Sequence, residues 1–269
     1  MPDSNGSTVV HVELDASGVA RVTLDRAHRL NAINAELSGA LSRALAELGE
    51  NPRCRAIVLS GAGRAFCSGL DLAAGLTAED DGDDPMTASY VAMRRAVSIV
   101  TTMREIPQPV IAAVRGHAVG AGFAIAAAAD IRVCAPDAVF NAVFTSLGVS
   151  AGDLGLSWLL PRLISPGHAA EIFYTADVLT ASDGVRLGFV QHISDDPVVH
   201  ACTIADRIAS KPPLGIQMTK RLLDASLGAG GFREHLEHEL RSQILGLHST
   251  DHAKAVHRFV EHRRADTTA

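Results

Sequence analysis

No face of this chain is rich in Lys and Arg, no two cysteines stand in C-x-x-C spacing, and no uninterrupted apolar run is long enough to span a bilayer. Each absence removes a class of function. A formal net charge of −6 works against capture of phosphate backbones, so no nucleic acid partner is expected. A membrane partner is not expected either, because the apolar run at 118–129 is short and made largely of Gly and Ala, which suits a packed interior helix. The cysteines Cys54, Cys67, Cys134 and Cys202 are scattered, and the opening Met1-Pro-Asp-Ser-Asn-Gly-Ser lacks a basic patch followed by an apolar core. We therefore expect reduced, mostly buried thiols, a cytoplasmic protein and no zinc site. His235/His238 and His248/His252 stand at helical spacing but lack a third ligand, so no metal is expected there. Gly61-Ala-Gly63 lacks the third glycine and the following acid of a dinucleotide loop. Ser68 lacks a Gly-x-Ser-x-Gly frame, and Cys67 has no local base to activate its thiol.

What is present suits a globular protein: 269 residues, 47% hydrophobic and 20% charged, enough to bury one sizeable core with a helical tail. Residues 9–14 and 19–24 alternate apolar with polar around Ala16-Ser17-Gly18, which predicts a hairpin. Residues 34–49 carry Leu and Ala at helical spacing and end near Asn51-Pro52. The apolar runs 56–59, 110–114 and 131–134 read as buried strands, the second entered through Pro107 and Pro109. Residues 72–87 hold a Glu-Asp-Asp-Gly-Asp-Asp-Pro block and are expected to form a mobile lid, followed by a helix over 90–103.

The small residues of 116–122 read as one turn that launches an alanine-rich helix. Helices are then expected at 154–163, 168–174, 181–187 and 198–210, with a long polar-faced stretch from 214 to about 264. Strand–helix alternation predicts a mainly parallel α/β sheet. The break at Asp195-Asp196-Pro197 divides a core domain, 1–196, from a helical assembly domain, 197–269. No internal repeat is visible from spacing.

Two stretches place small residues directly after a buried strand, where backbone N–H groups can approach a ligand unobstructed. They are Gly63-Arg-Ala-Phe-Cys-Ser-Gly-Leu-Asp-Leu72 and Arg115-Gly-His-Ala-Val-Gly-Ala-Gly-Phe-Ala-Ile-Ala-Ala-Ala-Ala-Asp-Ile-Arg132. Supporting pieces run along nearly the whole chain: Leu24-Asp-Arg-Ala-His-Arg-Leu-Asn-Ala-Ile33, Pro107-Gln-Pro-Val-Ile-Ala-Ala-Val114, Leu160-Pro-Arg-Leu163, Leu179-Thr-Ala-Ser-Asp-Gly-Val-Arg-Leu-Gly-Phe-Val190 and Phe259-Val-Glu-His-Arg-Arg264. In this order the set resembles the enoyl-CoA hydratase/isomerase (crotonase) superfamily.

The resemblance implies a crotonase-like spiral of ββα units with a C-terminal helical trimerisation domain, assembled as a homotrimer or a dimer of trimers. It implies an acyl-CoA thioester as ligand and no cofactor beyond the coenzyme A of the substrate. It places the two oxyanion donors at the N–H groups of Leu70 and Ala121, with Ala65, Cys67, Ser68, Gly69, Asp71 and Leu72 lining one side. His117, Gly120 and Gly122 line the other. Ala121 stands where glycine is frequent in the family, which leaves the donor intact because it is a backbone group. Arg26, His28 and Arg29 fall where relatives carry basic residues near the CoA phosphates. Asp71 matches a position that shapes the loop after the oxyanion residue, and Asp130 reads as a turn carboxylate. His117 fits either the acyl tunnel or a hydrogen-bonded structural imidazole.

The resemblance also implies two glutamates for hydration. Their positions correspond here to Ala124 and Phe144, and no acid occurs in 117–129 or between Asp137 and Asp153. Without a group to activate water and another to protonate the α-carbon, ordinary hydration is disfavoured. Asp153, in Ser150-Ala-Gly-Asp-Leu-Gly-Leu-Ser-Trp-Leu-Leu-Pro-Arg-Leu163, matches a catalytic acid of isomerase and dienoyl-CoA isomerase members. It equally suits an N-cap for the helix that follows. The expected activity is double-bond migration in an enoyl-CoA. A hydratase or other lyase with an atypical base, and a non-catalytic acyl-CoA binder with an apolar cavity floor, stand as alternatives.

Overall fold

A computed structural model describes residues 9–72, 84–228 and 230–267, with side chains to residue 260. The chain opens with a hairpin, β1 (Val10–Leu14) and β2 (Val19–Leu24), turning at Gly18 with φ +90°, and continues into α1 (Ala35–Glu50). The Asn34 side chain caps α1 by accepting the Leu37 N–H. Three strand–strand–helix units follow. The first is β3 (Ala56–Gly61), β4 (Ala65–Cys67) and α2 (Pro85–Glu105); the second is β5 (Val110–Val114), β6 (His117–Val119) and α3 (Ala121–Ala128). The third is β7 (Ile131–Cys134), β8 (Val139–Asn141) and α4 (Leu156–Leu163). Then come α5 (Pro166–Thr175), β9 (Val178–Thr180), α6 (Ala181–Leu187), β10 (His192–Ile193), α7 (Pro197–Ala209), α8 (Pro213–Ser226), α9 (Phe232–Leu247) and α10 (Thr250–Thr267).

In each unit the first strand joins one sheet and the second joins another. The larger sheet has the order β1-β2-β3-β5-β7-β10 and is parallel except for the β1–β2 pair. The smaller has the order β4-β6-β8-β9, with only β9 antiparallel. The predicted parallel sheet is therefore present, and a second sheet accompanies it. The segment 116–122, expected as one turn, contains β6. Gly116, at φ +58°, makes the change of sheet, and a Cβ there would lie 2.1 Å from the Arg64 carbonyl oxygen. Most of the expected acidic lid, residues 73–83, lies outside the described residues. Its end is helical, because Asp84 caps α2 and Pro85 occupies the first turn.

Alternation along the larger sheet sends side chains to two covered faces. Ile57, Leu59, Ala112 and Val114 join the main core with α1, α2 and α3, while Val58, Ile111, Ala113 and Val133 meet Ala201, Ala205 and Ala209 of α7. Asp195-Asp196-Pro197 is thus a helix cap, Asp196 accepting the Val198 and Val199 N–H groups, and α7 packs on the sheet. The alanine-rich α3 is buried on every side, with Phe123, Phe140 and Phe189 clustered at centroid distances of 4.9–5.4 Å. Arg132 is buried beside them, its guanidinium donating to the carbonyls of Phe189 and Ala129.

The tail is three helices rather than one stretch. α8 is fixed to the core by Lys220, 4% exposed, whose Nζ donates to the Met103 and Gln108 carbonyls at 2.7 Å and lies 3.2 Å from Asp130 Oδ2. Asp130 also accepts the Val110 N–H at 2.8 Å, the structural turn role expected of it. Lys220→Met removes the ammonium, strands two carbonyls and leaves Asp130 with only the Val110 N–H and Arg104 as partners. Urea unfolding is expected to show a loss of about 2–4 kcal/mol.

Candidate active site

The first small-residue turn leaves β4 through Ser68 and Gly69, the latter at φ +91°. Leu70 then forms an isolated parallel bridge with Ile33: the Ile33 N–H donates to the Gly69 carbonyl at 2.7 Å, and the Asp71 N–H donates to the Ile33 carbonyl at 2.9 Å. In extended chain, successive N–H groups point to opposite sides. The bridge uses the side of Gly69 C=O and Asp71 N–H, so the Leu70 N–H points the other way.

The second turn lies against the first. A Cβ on Gly69 would stand 2.9 Å from the Val119 carbonyl oxygen and 3.7 Å from the Ala121 nitrogen, so the two turns touch. Gly120, at φ +52°, donates its N–H to the Asn141 carbonyl at 2.9 Å and starts α3. Ala121 is the first helical residue, so its N–H has no intrahelical acceptor and carries the positive end of the helix. Among the described residues neither the Leu70 nor the Ala121 N–H donates to a backbone acceptor. α3 sits directly on β4 because residue 122 is glycine: a Cβ there would lie 2.2 Å from the Cys67 carbonyl oxygen.

Around the turns the surface is apolar. The Phe144 ring lies 3.7 Å from where a Gly120 Cβ would be, and Ala124 is fully buried on the first turn of α3. Ala121, Ala124, Phe144, Leu154 and Leu156 all belong to the main core, against which Leu70 packs. Asp153 lies just ahead of α4, which packs on α3. It is 6% exposed, and neither carboxyl oxygen has a hydrogen-bond partner among the described residues. Burial pushes its pKa up to about 6, and the nearby Leu154 amide offsets only part of that. The helix cap is Gly155, so Asp153 is not the N-cap; only its backbone carbonyl takes part, accepting the Leu156 N–H. Leu154 is held at φ +44°, a left-handed conformation costly for a branched side chain, directly after the acid.

The remaining expected residues divide. Cys67 is fully buried with its thiol pushed up to about 12 by desolvation, which excludes it as a nucleophile. Ser68 Oγ donates to the Arg29 carbonyl at 3.4 Å. Ala65, in β4, pairs with His117. His117 itself is exposed rather than held as a structural imidazole, and Leu72 is 74% exposed. His28 and Arg29 are exposed on the short helical turn Ala27–Arg29 beside the first motif. Arg26 is not with them. It is turned inward, 8% exposed, with Nη1 donating to the Ala32 carbonyl and Nη2 lying 3.1 Å from Asp71 Oδ2, so it is unavailable to a phosphate. Asp71 is the structural carboxylate expected.

Two residues escaped the sequence reading. Asn31, fully buried at φ +56°, donates to the Ala62 and Ala65 carbonyls and accepts the Arg26 N–H. Its signal was present, since Asn is among the few non-glycine residues that tolerate the left-handed region. Asn141 supplies the carbonyl that orients Gly120, a role no side-chain pattern reports.

Two adjoining small-residue turns at the seam of two sheets belong to an α/β protein of the crotonase-like spiral class. The family model for enoyl-CoA hydratase/isomerase matches residues 15–268, and the chain belongs to that family. It is 36% identical over 240 residues to the Mycobacterium bovis protein named "Probable enoyl-CoA hydratase echA12", covering 88% of this chain and 84% of that one. It is 31% identical to the 1,2-epoxyphenylacetyl-CoA isomerase of Escherichia coli K12, covering 96% and 97%. A solved structure of a probable enoyl-CoA hydratase/isomerase from Mycobacterium abscessus superposes with a TM-score of 0.87 at 31% identity, covering 95% and 96%.

Proposed function

We propose that the protein is an enoyl-CoA isomerase, moving a double bond along an acyl-CoA thioester. The observation that carries the reading is Asp153: a buried carboxyl with both oxygens unpartnered among the described residues, raised to about 6, just ahead of the helix that packs on α3. In this reading the Leu70 and Ala121 N–H groups hold the thioester oxygen. Asp153 removes a proton from C2 of a 3-enoyl chain, and negative charge moves onto that oxygen as a dienolate. The same carboxyl returns the proton at C4, giving the 2-enoyl product with no net loss or gain. Preorganised donors stabilise the charge where it develops, each typically contributing about 2.7–4 kcal/mol.

Ala124 and Phe144 support isomerisation over hydration, since neither can activate water. His28 and Arg29 offer exposed donors suited to the CoA phosphates. Leu236, Leu240, Ile244 and Leu247 form an exposed apolar stripe on α9, which supports assembly of the helical tail into a trimer or a dimer of trimers.

Incubation with saturated, 2-enoyl and 3-enoyl-CoA esters in deuterated water, with the label located by mass spectrometry, tests the reading. Conversion of the 3-enoyl ester with label at C2 or C4 is expected. Formation of a 3-hydroxyacyl-CoA would instead establish a hydratase with an atypical base. Tight binding with neither turnover nor exchange would establish a non-catalytic binder.

The raised pKa has two pH consequences. A base must be ionised, so kcat/KM is expected to rise tenfold per pH unit below about 6 and level off above it. For stability the sign is opposite: the folded chain holds the Asp153 proton more tightly than the unfolded chain. That contribution is full below the unfolded value near 3.8 and is lost as pH rises through about 6. Asp153→Leu should therefore remove a cost of about 1–2 kcal/mol at pH 8 and little at pH 4, as thermal unfolding at the two pH values would report.

A further inference from the structure

We propose that the buried Arg26–Asp71 ion pair is a positioning device for the Leu70 amide, an inference that rests on the oxyanion role given to that amide above. The pair spans the bridge on which Leu70 sits. Asp71 follows Leu70 directly, and its N–H and carboxylate are both engaged, the first by the Ile33 carbonyl and the second by Arg26 Nη2. From the other side Arg26 Nη1 grips the Ala32 carbonyl, one residue before Ile33, while the Arg26 N–H donates to Asn31 Oδ1. Asn31 in turn holds the carbonyls of Ala62 and Ala65, at the two ends of the turn that delivers β4. The Gly69 carbonyl and the Asp71 N–H are thus held by Ile33, and Arg26 grips both the carbonyl that precedes Ile33 and the carboxylate of its partner Asp71, while the Leu70 N–H faces away from that bridge.

Hydrophobic packing alone would stabilise this corner at least as well, because two desolvated charges return little net stability. What a planar guanidinium adds is direction: its two nitrogens fix the carboxylate and the Ala32 carbonyl in one plane, and with them the heading of the peptide between Gly69 and Leu70. A donor displaced by a fraction of an ångström binds the ground-state carbonyl nearly as well but loses the oxyanion. The pair therefore acts through Leu70, touching no substrate atom itself.

The test uses the full chain carrying Asp153→Asn, which cannot transfer the proton, with a 2,4-dienoyl-CoA as a chromophoric probe. Its absorption moves to longer wavelength in proportion to polarisation of the thioester carbonyl. In this background Arg26→Met/Asp71→Leu, which removes both charges, and the isosteric Asp71→Asn are compared at saturating probe. Expected are a red shift reduced to less than half in the double variant and to an intermediate value in Asp71→Asn. Affinity for a saturated acyl-CoA should stay within about 3-fold. With Asp153 restored, kcat should fall about 10-fold or more at nearly constant KM. A full red shift and unchanged kcat in Asp71→Asn overturn the proposal. So does a loss of signal in either variant that only follows the loss of folded protein by circular dichroism. A red shift absent already in the Asp153→Asn parent would sink the oxyanion reading itself, independently of Arg26 and Asp71.

Discussion

Asp153→Asn is expected to lower kcat for 3-enoyl-CoA isomerisation by about 10²–10⁴-fold while leaving acyl-CoA affinity within a few-fold. The substitution preserves the size and shape of the side chain and removes only its ability to take a proton. No other acid lies between Asp137 and Asp153, and α3 carries none. The amide also fills the site without the cost of burying a charge, so the variant should be at least as stable as the parent at pH 8. Loss of activity without loss of stability is the diagnostic combination, read from steady-state rates and thermal unfolding of the same preparation. Retained turnover would remove Asp153 from the mechanism.

Gly122→Ala is expected to lower both stability, by about 2–4 kcal/mol, and kcat, by at least about 10²-fold. The added methyl would meet the Cys67 carbonyl oxygen at 2.2 Å and the Cys67 Cβ at 2.9 Å. These are a strand atom and a buried side-chain stem, and neither is free to move. Relief requires α3 to lift away from β4, and that lift carries the Ala121 N–H away from the Leu70 N–H. The control is Gly39→Ala, on α1, where a Cβ meets nothing within 4 Å and replacement of a helical glycine should stabilise by about 0.5–1 kcal/mol. Equal behaviour of the two variants in urea unfolding would show that the close approach of α3 and β4 is not what holds the site together.

The long elements were legible from sequence because periodicity has room to declare itself. α1 runs 16 residues with a capping Asn34, and β3 and β5 are continuous apolar runs between turn residues. The smaller sheet was not legible, since β4, β6, β8 and β9 are three residues each, too short to show alternation. What marks them is the glycine geometry that redirects the chain between sheets, a three-dimensional property.

The site divides in the same way. The two turns announced themselves through small residues placed after strands, because the backbone approach they allow is written in composition. The direction of a charged side chain is not. Arg26, His28 and Arg29 are alike as letters, yet Arg26 faces Asp71 and the other two face solvent. Likewise nothing in the sequence could show that both Asp153 oxygens go unpartnered among the described residues, since that depends on what surrounding segments fail to offer.

Helix α7 changes how the chain can be shortened. Ending it at residue 196, where the sequence breaks, would uncover the sheet face formed by Val58, Ile111, Ala113 and Val133, which Ala201, Ala205 and Ala209 now cover. A truncated protein of that kind would expose a sticky apolar floor and self-associate. A cut after α8 would keep both that covering helix and the Lys220 anchor.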